Sequence, residues 1–168
     1  LTSHVEGTAL GGGFADADRY VLATPTEVTL VDTAAALEGR PSLSEAFVVG
    51  EDAEDSIEAL VTSATGAVVI GWNSTGPWLR RLTDDGTLSE PVPWPDRPGF
   101  VTDFALSPNG RQLASAVDGL EPGTSRVLLT ELDWERGTTH RISATPALVD
   151  VRGISFTSDG AVLVVTTE

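Results

Sequence analysis

From Val101 to Asp118 apolar and polar positions alternate, break at Ser107-Pro108-Asn109-Gly110, and alternate again. Alternation at period two with an Asn-Gly break predicts two antiparallel strands joined by a tight turn. The same order of events returns from Val151 to Glu168, with Val101 falling on Val151, Leu106 on Phe156, Gly110 on Gly160 and Leu113 on Leu163. An earlier copy opens at Ile57, with Gly66 at the place of Gly110, and the most divergent copy opens at Val5.

Reading along the chain, the first copy predicts a strand over Val5 to Leu10, a hairpin turn at Gly11-Gly12-Gly13, and strands over Arg19 to Thr24, Glu27 to Asp32 and Ser44 to Val49. Thr33 to Gly39 combines Ala and Leu with a Gly stop and predicts a single helical turn. The second copy predicts strands over Ile57 to Thr62, Ala67 to Trp72, Trp78 to Leu82 and Thr87 to Val92, with a turn at Asp85-Gly86. Pro91, Pro93, Pro95 and Pro98 surround Trp94, and so few amide donors predict an extended connection over residues 93 to 100. The third copy predicts strands over Val101 to Leu106, Arg111 to Ala116, Ser125 to Leu132 and Thr138 to Ser143; the fourth has only its first two.

Copies starting at Val5, Ile57, Val101 and Val151 are separated by 52, 44 and 50 residues. Four short strands per repeat of this length predict the blades of a β-propeller. Leu106-Ser107-Pro108-Asn109-Gly110-Arg111-Gln112-Leu113-Ala114, and Phe156 to Val164 in the fourth copy, resemble the F-S-P-D-G-x-x-L-A motif of WD-repeat and TolB-like β-propellers. No copy carries Trp-Asp after its third strand, and Leu132-Asp133-Trp134 reverses it, so the TolB-like kind, with a bacterial source, fits better.

The expected fold is therefore all-β: residues 1–168 form a partial β-propeller of about three and a half four-stranded antiparallel blades, at 5–50, 57–94, 101–143 and, as a half blade, 151–168. A two-sheet β-sandwich is the alternative. Because rings close at about four to eight blades, the expectation is that remaining blades come from the same longer chain or from another chain.

Ten Arg, no Lys and 25 carboxylates give a formal charge of −15, which repels phosphate backbones and anionic lipid and argues against nucleic acid as a partner. The longest apolar runs are strand-sized, so no membrane insertion is expected and the chain reads as soluble. With no Cys, thiolate metal sites, disulfides and Cys nucleophiles are absent. His4 and His140 lie in different copies and do not assemble a metal site, so neither metal nor cofactor is expected.

Asp16-Ala17-Asp18 and Glu51 to Asp55 read as solvated acidic turns. Gly71 to Gly76 misses the G-x-S-x-G nucleophile spacing by one position, and Gly11-Gly12-Gly13 lacks the third Gly of a dinucleotide loop, so no catalytic residue is singled out. Asn73-Ser74-Thr75 satisfies the N-glycosylation rule. Trp72 and Trp78 read as packing between blades, and Trp94, among prolines, as a possible partner contact. The pattern supplies a repeat framework without a catalytic constellation. It points to a non-catalytic scaffold that binds protein or peptide. The alternatives are the accessory propeller of a larger enzyme, such as a prolyl-oligopeptidase-like hydrolase, and the ectodomain of a membrane-anchored sensor or lipoprotein.

Overall fold

A computed structural model describes residues 9–40, 43–48, 56–83, 85–97, 99–118, 123–149, 151–161 and 163–167. The chain divides into two compact units, Leu1–Val92 and Pro93–Glu168. In the first unit, β1 (Gly11–Phe14), β2 (Arg19–Ala23), β3 (Glu27–Asp32) and β4 (Leu43–Val48) form one antiparallel sheet in chain order, with the short helix α1 (Thr33–Leu37) between β3 and β4. A second sheet follows in the same order: β5 (Ser56–Ser63), β6 (Gly66–Asn73), β7 (Gly76–Arg81) and the two-residue β8 (Val92–Pro93). The second unit holds β9 (Val101–Leu106), β10 (Gln112–Asp118), β11 (Thr124–Asp133) and β12 (Thr138–Ala144) in a third sheet, with β13 (Leu148–Val149) also pairing with β11. Last comes the hairpin of β14 (Val151–Phe156) and β15 (Leu163–Thr167).

Alternation along the strands gives every sheet two distinct faces, and one face of each carries the small aliphatic residues. In the first unit Val21, Ala23, Val28 and Leu30 pack on Ile57, Ala67, Val69 and Trp78 of the second sheet. In the second unit Ala105, Ala114, Ala116 and Val127 pack on Ile154, Phe156, Leu163 and Val165 of the hairpin. Consecutive strands stay in one sheet, and within each unit the earlier sheet lays one face on the later one. This is the construction of a partial β-propeller, whereas a sandwich sends strands across to the opposite sheet.

The first strands share a second feature. Register slips by one residue between Ile57 and Ala59, between Val101 and Asp103, and between Val151 and Gly153. Each slip is a bulge with one extra residue, at Glu58, Thr102 and Arg152, the same place in three copies. Beside it the next sheet is pinned by a backbone donor: Ile57 N–H donates to Pro25 O at 2.9 Å, and Ile154 N–H to Asp103 Oδ2 at 2.9 Å.

Three sequence expectations are corrected. Gly11-Gly12-Gly13 is strand and not turn; the turn falls over residues 15–18, where Asp16 Oδ1 accepts the N–H groups of Asp18 and Arg19. Gly12 is in the strand because the Tyr20 side chain crosses it, and a Cβ there would lie 2.6 Å from Tyr20 Oη. Residues 1–8, with the expected strand over Val5 to Leu10, lie largely outside the described residues. The strand expected over Thr87 to Val92 reduces to a single bridge, Leu82 to Leu88, and the two residues of β8, since Pro91 and Pro93 offer no donors. Pro93, read as connection, is the second of them.

The corners also sort themselves differently. Gly66, Gly110 and Gly160 all turn the first strand of a sheet into the second, but Gly110 and Gly160 sit at φ 67° and 70° whereas Gly66 sits at φ 148°. At Gly110 and Gly160 a hydroxyl, from Ser107 or Thr157, donates to Oδ1 of Asn109 or Asp159, and the glycine N–H returns to the hydroxyl residue's carbonyl at 2.8 Å. The Asp85-Gly86 turn uses the same device. Asp85 Oδ1 accepts Thr83 Oγ1 at 2.5 Å, Thr87 Oγ1 at 2.8 Å and Thr87 N–H at 3.1 Å. The Thr83 hydroxyl, more than any other group, holds the Asp85 carboxyl down at about 2.

Two outcomes follow. A Cβ at Gly71 would collide with the Trp78 ring and the Ser56 carbonyl, so Gly71→Ala is expected to cost about 1–3 kcal/mol by overpacking, measured by urea denaturation; an unchanged midpoint would contradict the placement of Trp78. A folded pKa below the unfolded value means that Asp85 adds stability above pH about 4, by the ordinary Asp value, and loses it as pH falls towards 2. Carboxyl NMR titration of Asp85 should show a midpoint near 2, and Thr83→Val should move it back towards 3.8.

Candidate binding surface

Within the first unit the loops at one end of the first two sheets enclose a cleft of about 390 Å³, lined by Asp18, Arg19, Leu30, Asp32, Ala34, Asp85 and Gly86. Each charged residue is placed by local structure. Asp18 and Arg19 close the turn into β2, where Arg19 Nε pairs with Asp16 Oδ2 at 2.5 Å. Asp32 ends β3 and caps α1, its carboxylate accepting Ala35 N–H at 2.8 Å. Thr33 binds Asp18 O through both its N–H and its hydroxyl at 2.9 Å, which fixes the helix start to the start of β2.

Asp85 arrives from the second sheet. Its neighbour Gly86, at φ 85°, passes so close to the first sheet that a Cβ would stand 3.0 Å from Leu30 Cδ1. Here glycine serves two needs, the left-handed turn and the close approach. A second cleft, of about 410 Å³, is lined by Thr65, Arg81, Leu82, Thr83 and Asp85 and shares Asp85 with the first.

The electrostatics of the first cleft are one-sided. Three carboxylates line it against one guanidinium, and that guanidinium is already engaged by Asp16. Burial pushes the Asp16 carboxyl up, but hydrogen bonds from Asp18 and Arg19 outweigh it and leave the group below its usual range. Asp85 is ionised at any neutral pH. Such a cleft can accept hydrogen bonds from, and pair with, cationic side chains.

The residues singled out from sequence are scattered. Trp94 is 0% exposed, its ring 6.3 Å from that of Phe104, and the preceding backbone carbonyl, Pro93 O, accepts the Thr139 hydroxyl at 3.2 Å. A side chain so enclosed presents no surface to a partner; it packs the third sheet. Trp78 is buried in the first unit's core, with the Arg80 guanidinium 5.5 Å from its ring, while Trp72 is 38% exposed and donates to Glu58 Oε2 at 2.9 Å. Gly71 to Asn73 lie in β6 and Gly76 opens β7; in the turn between them Asn73 Oδ1 accepts the Thr75 hydroxyl and N–H. His140 stands exposed on β12 opposite Glu131. His4 and Glu51 to Asp55 lie outside the described residues. Among the described residues, no three His, Cys, Asp or Glu side chains gather as a metal site, and no helix is long and apolar enough to cross a membrane.

Sequence reasoning found Asp16, Asp18 and the Asp85-Gly86 turn as separate features and missed Asp32, Arg19 and the cleft that joins them. It also missed Trp134, whose indole N–H donates to Gly110 O at 2.9 Å and ties two turns of the third sheet together. The reversed Leu132-Asp133-Trp134 was the signal available for it.

No protein-family model and no curated protein matches this sequence. Among solved structures, "Crystal Structure of the N-terminal Domain of Nup159" is similar at a TM-score of 0.40 and 15% identity, over 89% of this chain and 36% of that one. A chain of "Crystal Structure of Mitotic Checkpoint Complex" is similar at a TM-score of 0.31 and 8% identity, over 91% of this chain and 83% of that one. This chain thus spans little more than a third of the Nup159 chain, and the fold assignment rests on strand order and face packing rather than on either likeness.

Proposed function

We propose that this chain is a non-catalytic β-propeller module that acts as a binding scaffold for a protein or peptide, and that basic side chains of the partner enter the cleft between its first two sheets. The observation that carries the reading is the meeting of Asp18, Asp32 and Asp85 from two different sheets around one open cleft. Rigid sheets hold these loops in place, which lowers the ordering cost of binding. The formal charge of −15 favours a cationic partner at a distance as well as in contact.

The test is fluorescence anisotropy with labelled Arg-rich and Glu-rich peptides of equal length, followed by amide NMR mapping. The Arg-rich peptide is expected to bind selectively, to weaken as salt is raised, and to shift the amides of Asp18, Asp32 and Gly86. Asp32→Asn with Asp85→Asn should weaken binding by about tenfold, the size of one or two lost charge-assisted contacts. Equal binding of both peptides, or shifts confined to other loops, would overturn the assignment of the cleft.

A further inference from the structure

Asn109 and Gly110 stand side by side at the corner between β9 and β10, and the sequence has one other asparagine, Asn73, which is followed by serine. An asparagine before glycine is chemically labile, because the glycine nitrogen, unhindered by a side chain, is free to attack Cγ of the asparagine. The N–Cγ bond forms, the Cγ–Nδ2 bond breaks, and ammonia leaves with the amide proton. Water then opens the cyclic imide at either carbonyl and leaves an α-linked or a β-linked aspartate.

In this corner the attack is held off by geometry. Gly110 N–H donates to Ser107 O at 2.8 Å and closes a four-residue turn with Pro108 and Asn109 at its centre. In turns of types I and II alike ψ at the third residue is about 0°, which leaves the next nitrogen about 120° of rotation away from the Cβ it must approach. The side chain is held as well. Asn109 Oδ1 accepts the Ser107 hydroxyl at 2.7 Å and Arg111 N–H at 3.0 Å, and Ser107 Oγ accepts Gln112 N–H at 2.9 Å. Ser107 is 1% exposed, so water does not compete for these bonds. From another loop the Trp134 indole N–H donates to Gly110 O at 2.9 Å. Swinging the Gly110 nitrogen onto Cγ therefore breaks the Ser107 bond and the Trp134 tie together.

The fourth copy shows which product the corner accommodates. Asp159 Oδ1 accepts the Thr157 hydroxyl at 2.7 Å and Ala161 N–H at 3.1 Å, as Asn109 Oδ1 accepts its own pair, and Gly160 N–H returns to Thr157 O at 2.8 Å. An α-linked aspartate at position 109 keeps these bonds, whereas a β-linked one adds a methylene to the backbone and breaks the turn.

We propose that Asn109 is a conformationally gated site of spontaneous deamidation: Ser107 and Trp134 are positioning residues that hold the corner shut, and conversion proceeds only through its local openings. The site is independent of the acidic cleft and of any partner there.

The test is incubation of the full chain at mildly alkaline pH, with peptide mapping that separates Asn109 from its α- and β-aspartyl products and takes Asn73 as internal reference. Native wild type is expected to convert at least about tenfold more slowly than the same chain in guanidinium chloride. Ser107→Ala and, separately, Trp134→Phe should speed conversion of the native protein by about tenfold, the effect of one hydrogen bond lost from the closed corner. Circular dichroism checks that each variant is folded, and if Ser107→Ala is not, Trp134→Phe decides. Gly71→Ala, which strains the second sheet, should leave the rate at Asn109 unchanged, because the opening is local. Equal rates in native and denatured wild type would overturn the proposal. So would an unchanged rate in the folded variants, or a rate in Gly71→Ala raised as much as theirs, which would place the gate in global unfolding.

Discussion

Everything in this structure depends on one sheet face being flat and small enough to lie on the next. Val21, Ala23 and Val28 are fully covered, and so are Ala114 and Ala116 at the corresponding contact in the second unit. Burial of large apolar side chains gives roughly 1.5–3 kcal/mol each, but close packing delivers it only where the opposing surface fits. The fit is made by pairing rings with glycines: Trp78 occupies the space that a side chain at Gly71 would need. Backbone donors then fix the distance between sheets, with Ile57 N–H reaching Pro25 O and Ile154 N–H reaching Asp103. Because these two donors sit beside the shared bulge, the bulge is what aims the start of one sheet at its predecessor.

The cleft is a consequence of that packing. Asp85 belongs to a turn whose internal hydrogen bonds would exist in an isolated hairpin, and Asp32 to a helix cap that is equally local. Neither residue carries any instruction to meet the other. They converge because the Gly86 backbone fits against Leu30, so a contact between sheets sets the distance between charges. Substituting the turn residues would therefore alter the electrostatics of the site without moving it, whereas filling the sheet interface would move it. Function on a scaffold of this type resides in the loops, and precision resides in the faces beneath them.

What the sequence made legible was set by how far each signal reaches along the chain. Period-two alternation and the Asn-Gly and Asp-Gly turns act over a few residues; they placed β9 and β10 to within a residue or two and foresaw two strands in the fourth copy. The short helix was equally legible, because its Ala and Leu residues and the Gly39 stop are local; the Asp32 cap was not read from the sequence. Gly11-Gly12-Gly13 misled because three glycines are locally a turn. They become a strand only when Tyr20 crosses Gly12 and when Thr62 and Leu60 press on Gly13 and Gly11 from the next sheet. Trp94 misled for the same reason: the prolines around it are a local signal, whereas whether its ring lay inward depended on Phe104, which comes later in the chain. The bulge was invisible, since Glu58, Thr102 and Arg152 share no chemistry and the constraint is on backbone count alone.

That last point bears on how such repeats hold their fold while their sequences drift. A bulge asks only that one residue be left out of the ladder, so its side chain is free to change. Glu58 binds the Trp72 indole, Thr102 returns its hydroxyl to Ala116 O, and both leave the register slip in place. The turns behave likewise. Asn109 and Asp159 both accept a hydroxyl and a backbone N–H through Oδ1, so either residue closes the corner. The face positions are different, because there a change of volume is felt by two sheets at once. Small aliphatics at Ala23, Ala114 and Ala116, and glycine at Gly71, are therefore the positions at which this architecture is held, and the variable chemistry of the loops is what that constancy permits.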